Sequence, residues 1–205
     1  MAADKFLCDW LFVKLKIVLA SRSPRRKDIL EKLNWSFVID PPDIDESPLK
    51  DESPINYVQR ISGAKADLVA RRHDQQCIVI AADTTVELNG EIFGQPRDLD
   101  EARLMIQKLS GKTHKVHTAI SVRHNRETAN AVDTASVTMR EVSSELLEWY
   151  IGTGESIGKA GAYAVQGHGS AMVADLAGEI DTVIGLPVGL LIGMLGNLGI
   201  DPKTL

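Results

Sequence analysis

Two periodicities of hydrophobic residues alternate along the first half of the chain. Short apolar runs are typical of buried strands, and the segments between them carry apolar residues three and four positions apart, as amphipathic helices do. The pattern predicts strands at 16–21, 36–40 and 77–88. It predicts helices at 23–33, 53–72 and 98–111. Strands that alternate with helices favour an α/β arrangement.

The pattern changes near Gly111. Residues 114–124 and 127–142 alternate as an antiparallel strand pair would, joined by a turn. A helix is predicted at 143–154, short strands around glycines at 161–169 and 171–186, and an apolar helix at 187–200. The fold class is therefore mixed α/β, with a mixed twisted sheet in two lobes. A groove between two lobes is the default ligand site.

Composition narrows the class of protein. The 205 residues carry a net charge of −5, which argues against a general nucleic-acid binder. The two cysteines form neither a metal spacing nor a disulfide framework, so a reducing, cytoplasmic location is expected. No apolar run is long enough to span a membrane. Residues 1–15 are interpreted as an N-terminal extension, and 16–205 as one domain.

Four cations cluster where the first strand leads into the first helix. Ser23 can cap this helix, and Pro24 suits its first position. Free N–H groups at a helix start favour an anion, and Ser21, Arg25 and Arg26 add hydroxyl and guanidinium donors suited to phosphate. The stretch predicts a phosphate site; a solvated basic turn is the alternative.

Carboxylates follow the apolar part of two predicted strands. Asp45 and Glu46 lie in an acidic loop that a solvated surface also explains. Asp83 follows a strongly apolar run, and a buried carboxylate needs a partner. Carboxylates that face a phosphate-binding turn can hold Mg²⁺, and one of them can activate a water. Which carboxylate binds metal and which acts as base stays open.

Three further polar residues are weaker candidates when taken singly. Lys65 lies on a helix and could be a surface lysine, while Lys159 and Gln166 lie in a glycine-rich stretch. Gln166 offers both a donor and acceptors, which suits the edge of a nucleobase. Other chemistries find no support, because neither a complete P-loop nor a G-x-S-x-G elbow occurs.

Taken together, the motifs resemble the Maf family of nucleoside triphosphate pyrophosphatases. The matching segments occur in the family's order from Lys16 onward. They read LASRSPRRKDIL, DIDES, AKA, AADTTVELNGEIFGQPRDLDEA, LSGKTH, VHTAISV, KAGAYAVQGHGS and IDTVIGLP. The resemblance implies two lobes around a deep nucleotide-binding groove, in a fold related to the inosine triphosphate pyrophosphatases.

The resemblance also implies an activity and assigns residues to it. A nucleoside triphosphate would be hydrolysed to the monophosphate and pyrophosphate with Mg²⁺ or Mn²⁺, by a protein that forms a homodimer. Asp83 matches the catalytic position and, with Asp45 and Glu46, the expected metal ligands. The remaining positions bind substrate, and Arg25, Thr84 and Gln166 among them set specificity: Ser21, Arg25, Arg26, Lys65, Thr84, Gln95, Lys159 and Gln166.

One departure concerns the segment GQPRD. The family usually has lysine where this chain has Gln95, and glutamine can hydrogen-bond a phosphate but cannot neutralise it. The motifs AADTT and AGAYAVQG are similar to the branch that prefers dTTP and UTP. The alternatives are a 7-methyl-GTP pyrophosphatase and a nucleotide-binding regulator of cell division with little turnover.

Overall fold

The computed structural model describes residues 15–205, so the extension predicted at 1–15 lies almost wholly outside the described residues. One seven-stranded mixed sheet runs through this part of the chain, with the order β2-β1-β3-β5-β6-β7 and with β4 paired to β3. The strands are β1 (Ile17–Leu19), β2 (Phe37–Ile39), β3 (Ile78–Leu88), β4 (Glu91–Phe93), β5 (Thr113–His124), β6 (Glu127–Met139) and β7 (Val173–Ala177).

The parallel part of the sheet carries helices on both faces. Strand β1 pairs in parallel with β2 and with β3. Helix α1 (Pro24–Lys32) buries Ile29 and Leu30 on one face, and α2 (Pro54–Ala70) buries Ala66 and Val69 on the other. The chain therefore leaves β1 at a topological switch point, where α/β folds bind their ligands. The predicted α/β class is confirmed.

The antiparallel part builds the second lobe. Strands β3, β5 and β6 are long enough to run through both lobes. Two helices, α3 (Leu99–Leu109) and α4 (Ser144–Gly152), surround a core that includes Phe93, Ile106 and Tyr150. Helices α5 (Ile180–Ile184) and α6 (Val188–Asn197) return to the first lobe, where Leu191 packs beneath the sheet.

One predicted element is wrong, and another is confirmed only in its first part. Residues 161–169 form no strand but two 3₁₀ turns, Ala160–Ala162 and Gly167–Met172, because Gly161, Ala162 and Gly167 have positive φ angles that no strand contains. Residues 171–186 contain β7 and then a short helix instead of one strand. The pattern also missed β4, which follows the Asn89-Gly90 turn typical of tight hairpins.

Residues 15–205 include no helix with the length and apolar character needed to cross a lipid bilayer.

A buried histidine in the second lobe makes stability depend on pH. His114 is 1% exposed, and its Nε2 lies 2.6 Å from the Tyr163 hydroxyl. Its Nδ1 has no hydrogen-bond partner among residues 15–205. Burial lowers the pKa of His114 from 6.5 to about 4. Between pH 6.5 and pH 4, His114 is protonated in the unfolded chain but neutral in the folded chain. The free energy of unfolding therefore falls as the pH falls.

We therefore expect about 3 kcal/mol of stability to be lost between pH 6.5 and pH 4 through His114. Urea denaturation at several pH values measures the free energy of unfolding. A His114→Gln variant should show a flatter slope in this window, and a variant of the exposed His168 is the control for loss of a histidine elsewhere. Equal slopes in wild type and His114→Gln would contradict the assignment.

Candidate functional site

The groove lies between the two lobes, beyond the end of β1. It has a volume of about 400 Å³. One wall is the turn that joins β1 to α1, the floor is the middle of β3, and the opposite wall is the segment 158–166. The groove exists because β1 ends at Leu19 while its neighbour β3 continues to Leu88. Asp83 thus lies in the middle of β3, directly after the apolar first half of that strand.

Arg26 is held rigidly at the first wall. Its Nε donates to the Gly185 carbonyl at 2.8 Å, and its two terminal nitrogens donate to Ser21 Oγ and Thr84 Oγ1 at 3.1 Å each. A guanidinium has five N–H groups, so two remain for a ligand. Burial lowers the pKa of Arg26, although the Asp83 carboxylate opposes that shift.

Ser21 has a fixed polarity. Its Oγ accepts the Ser23 N–H and the Arg26 guanidinium, both at 3.1 Å. With both lone pairs used, the hydroxyl can offer only its proton, which suits a phosphate oxygen. Ser23 caps α1 by accepting the Arg26 N–H, so the cap predicted from the sequence is confirmed.

Arg25 reaches across the groove. Its Nε and Nη2 approach the carbonyl oxygens of Ile184 and Gly158 at 3.4 Å, which are long hydrogen bonds. Burial lowers the pKa of its guanidinium. Arg25 is therefore held less firmly than Arg26, and it links the first wall to the opposite one.

Lys65 joins two carboxylates at the floor. Its Nζ lies 2.8 Å from Asp83 Oδ1 and 2.9 Å from Glu46 Oε2. The side chains of Lys65 and Asp83 are 9% and 8% exposed, whereas that of Glu46 is 45% exposed. An ammonium group has three N–H donors, so one remains for a ligand. Lys65 is thus no surface lysine, and Asp83 has the partner that its burial requires.

Asp83 is more basic than an ordinary aspartate. Burial raises the pKa of its carboxyl group, and this effect exceeds the opposing pull of Lys65 and Arg26. Desolvation disfavours the charged form of a carboxylate, and proton uptake relieves that cost. A carboxylate whose pKa is raised by burial is suited to take a proton from a water in the groove.

A chain of hydroxyl groups fixes the polarity of Thr84. Thr118 Oγ1 donates to the Thr182 carbonyl at 2.6 Å, so it can only accept from Thr84 Oγ1, which lies 2.9 Å away. Thr84 also accepts from Arg26. Its proton and one lone pair are therefore used, and Thr84 can offer a ligand only the remaining lone pair.

The other predicted residues also line the groove, two of them on the opposite wall. Gln95, Lys159 and Gln166 all line the groove beside Tyr163. Lys159 Nζ donates to the carbonyl groups of Glu155 and Ile157 at 3.1 and 3.4 Å, which directs the side chain along this wall. Burial lowers the pKa of Lys159.

The structure does not bring Asp45 to the groove. Its Oδ1 accepts the Ser47 N–H at 2.9 Å on an exposed loop, and it is not among the lining residues. Its neighbour Glu46 does line the groove. Within residues 15–205, no group of three or more acidic, histidine or cysteine side chains is arranged to hold a metal by itself.

Sequence reasoning missed several residues that shape the site. Thr118 and Thr182 set the polarity of Thr84, and the Gly185 carbonyl orients Arg26. Of these residues, only Thr118 could have been found from strand pairing, because it lies opposite Thr84 in the β3–β5 ladder. Finding it requires the register of that ladder. The others come from a segment whose conformation the apolar pattern did not predict.

Several known proteins are similar to this chain in sequence. The family model described as Maf-like protein matches residues 16–198. The dTTP/UTP pyrophosphatase of Myxococcus xanthus is 44% identical over 184 residues, which cover 90% of this chain and 93% of that protein. The dTTP/UTP pyrophosphatase of Thermus thermophilus is 40% identical over 189 residues, which cover 92% of this chain and 98% of that protein.

Among solved structures, the Staphylococcus aureus Ham1 protein superimposes with a TM-score of 0.46. The match has 18% sequence identity and covers 60% of this chain and 71% of that one.

Proposed function

Since the chain belongs to the Maf-like protein family, we propose that it hydrolyses a pyrimidine nucleoside triphosphate, UTP or dTTP, to the monophosphate and pyrophosphate. The observation that carries this proposal is the Lys65–Asp83 pair, buried in the groove that Arg26 closes on the other side. Hydrolysis of a phosphoanhydride requires a general base close to donors that bind the phosphates, and a carboxylate with a raised pKa can serve as that base.

The phosphates bind at the first wall. The free donors are the Ser21 proton, two N–H groups of Arg26 and the third N–H of Lys65. All three surround the floor at Asp83, so the α-phosphorus lies near the base. Preorganised donors that stabilise developing charge commonly supply the largest share of such catalysis.

Asp83 takes a proton from the attacking water. The water oxygen forms a bond to the α-phosphorus while the bond from that phosphorus to the α–β bridging oxygen breaks. The proton passes to Asp83 Oδ, and the bond electrons leave with pyrophosphate. Arg26 and Lys65 offset the charge that develops on the departing group.

Mg²⁺ or Mn²⁺ is part of the proposal. Asp83 and Glu46 line the groove as oxygen donors, and Mg²⁺ is commonly held by one or two carboxylates with substrate phosphates and waters as its other ligands. The donor set therefore fits such a cation, and Asp45 is unsuited to join it from its exposed loop. When bound, the cation supplies charge neutralisation at the phosphates.

The nucleobase is read by Thr84 and Gln166. A lone pair on Thr84 recognises a donor, such as the ring N3–H of uracil or thymine, and it repels the unprotonated ring nitrogen of cytosine. Gln166 offers a donor and an acceptor from the opposite wall. The proposal therefore favours UTP and dTTP over CTP.

Pyrophosphate release from a nucleotide panel tests the proposal. With Mg²⁺ or Mn²⁺ we expect UTP and dTTP to be hydrolysed at least about tenfold faster than CTP. The N3 atom of cytosine has no hydrogen to donate, and its lone pair would face the lone pair of Thr84 Oγ1. EDTA should abolish turnover. If the protein binds UTP but does not hydrolyse it, the proposed enzymatic activity is wrong. If it hydrolyses 7-methyl-GTP faster than UTP and dTTP, the proposed pyrimidine substrate is wrong.

A cytoplasmic location and a homodimer complete the proposal. The first is supported by the two cysteines, which form no disulfide framework in the sequence. The second is supported only by the resemblance that the sequence motifs imply.

A further inference from the structure

The Glu155 carboxylate lies behind the groove wall that carries Gln166. Its Oε1 accepts the His168 N–H at 3.2 Å, and its Oε2 accepts the Gly169 N–H at 2.8 Å. Glu155 precedes these residues by more than twelve positions, so the two bonds join the turn after α4 to the 3₁₀ turn Gly167–Met172. Glu155 does not line the groove itself.

These two bonds replace the cap that Gln166 would otherwise have to provide. Gln166 occupies the N-cap position of the 3₁₀ turn, but its side chain makes no capping hydrogen bond. The second and third N–H groups of a helical turn, here those of His168 and Gly169, are the ones that an N-cap side chain usually satisfies. Because Glu155 satisfies them from behind, the Gln166 amide is left available to the groove.

The contact between Glu155 and this turn is close. Gly167 has a φ angle of +78°, and a Cβ atom there would overlap Glu155 Oε1. Any side chain at position 167 would therefore displace the carboxylate. A carboxylate that accepts backbone N–H groups makes charge-assisted bonds about twice as strong as neutral ones.

The turn after α4, which contains Glu155, also holds Lys159. Its Nζ donates to the Glu155 carbonyl at 3.1 Å, so the backbone and the side chain of Glu155 each fix one groove residue. We propose that Glu155 is a positioning residue for nucleobase selection, which acts through Gln166 without touching the substrate. This inference rests on the proposed function, because it assigns Gln166 to the nucleobase.

Glu155→Gln tests the inference with little change in shape. The amide keeps one acceptor but turns an NH₂ group toward a backbone N–H. We expect hydrogen exchange at the His168 and Gly169 amides to accelerate at least about tenfold, since a charge-assisted bond is lost. For UTP we expect a higher KM with kcat within about threefold of wild type, because Gln166 positions the base and does not join the chemistry.

Binding of the product nucleotides separates the inference from the proposed function. We expect Glu155→Gln to lower the preference for UMP over CMP, measured by calorimetry, about fivefold to tenfold. Gly167→Ala should lower it in the same direction by displacing the carboxylate. Glu148→Gln is the matched control, because that carboxylate binds Arg103 on the exposed side of α4, and its preference should stay at the wild-type value.

Each result of these measurements supports or overturns the proposed role of Glu155. Unchanged amide exchange in Glu155→Gln overturns the capping role, and faster exchange with an unchanged UMP to CMP preference overturns the role in selection. A wild-type protein that prefers UMP but hydrolyses no triphosphate contradicts the proposed function alone, and the binding measurement still tests Glu155.

Discussion

Asp83→Asn is expected to lower kcat by at least about a hundredfold, because general-base catalysis typically contributes factors of 10² to 10⁴. Asparagine has almost the same shape, and its amide oxygen can still accept from Lys65 Nζ, which lies 2.8 Å from the carboxylate in the wild type. What it cannot do is take a proton from the attacking water. We therefore expect kcat to fall far more than KM changes, measured by pyrophosphate release from UTP.

The fold should tolerate this change. Removing a buried carboxylate removes a desolvation cost, while Lys65 keeps its contact with Glu46 at 2.9 Å. Asp67→Asn is the matched control: Asp67 lies on the same helix as Lys65, but it pairs with Arg123 away from the groove. Asp83→Asn with more than about a tenth of wild-type turnover would remove Asp83 from the role of base.

The local features of the site were predictable from the sequence. Ser23 and Pro24 mark a helix start through their own capping chemistry, which depends on neighbouring residues alone. Asp83 was identifiable because a carboxylate after a buried apolar run demands a partner. Such arguments succeed where the cause lies within a few residues of the effect.

Pairings across the fold were not predictable from the residues alone. Lys65 meets Asp83 only because α2 packs across the sheet beside β3, which no local pattern reveals. In the acidic loop, Asp45 and Glu46 are adjacent, and the sequence could not say which one faces the groove. The structure selects Glu46, whose backbone carbonyl is held by the Tyr57 hydroxyl at 3.0 Å.

The glycine-rich wall shows a different limit. Alternating small and apolar residues in 161–169 imitate a strand, but left-handed φ angles at Gly161 and Gly167 turn the backbone into 3₁₀ turns. Glycine allows a positive φ angle but does not require one. The glycine content therefore could not distinguish a strand from 3₁₀ turns in this segment. The role of Glu155 follows from that turn and was equally hidden.

Lys65→Met is the second variant with a large expected effect, and it acts through the pKa of Asp83. Methionine keeps most of the apolar stem but removes the cation between Asp83 and Glu46. Burial already raises the pKa of Asp83, and Lys65 is the largest opposing influence. Its loss raises that pKa further, so the base is protonated at higher pH.

The acid limb of the pH dependence of kcat/KM is therefore expected to move upward by about one pH unit or more, because an opposite charge at this distance shifts a pKa by one to three units. Lys108→Met is the control, since Lys108 pairs with Glu91 on an exposed surface and should leave the limb in place. An acid limb that stays at its wild-type pH in Lys65→Met would show that Asp83 does not titrate as the base.

Stability separates this electrostatic role from a loss of packing. Breaking one side of a buried ion pair removes the nearest counter-ion of the remaining charge and costs about 3 kcal/mol or more. If that charge is the cause, Lys65→Met combined with Asp83→Asn should be more stable than Lys65→Met alone, because the double variant buries neither charge. Urea denaturation at neutral pH measures this difference. A double variant no more stable than Lys65→Met would assign the lost stability to packing of the lysine stem, and the ion pair would then serve the reaction without supporting the fold.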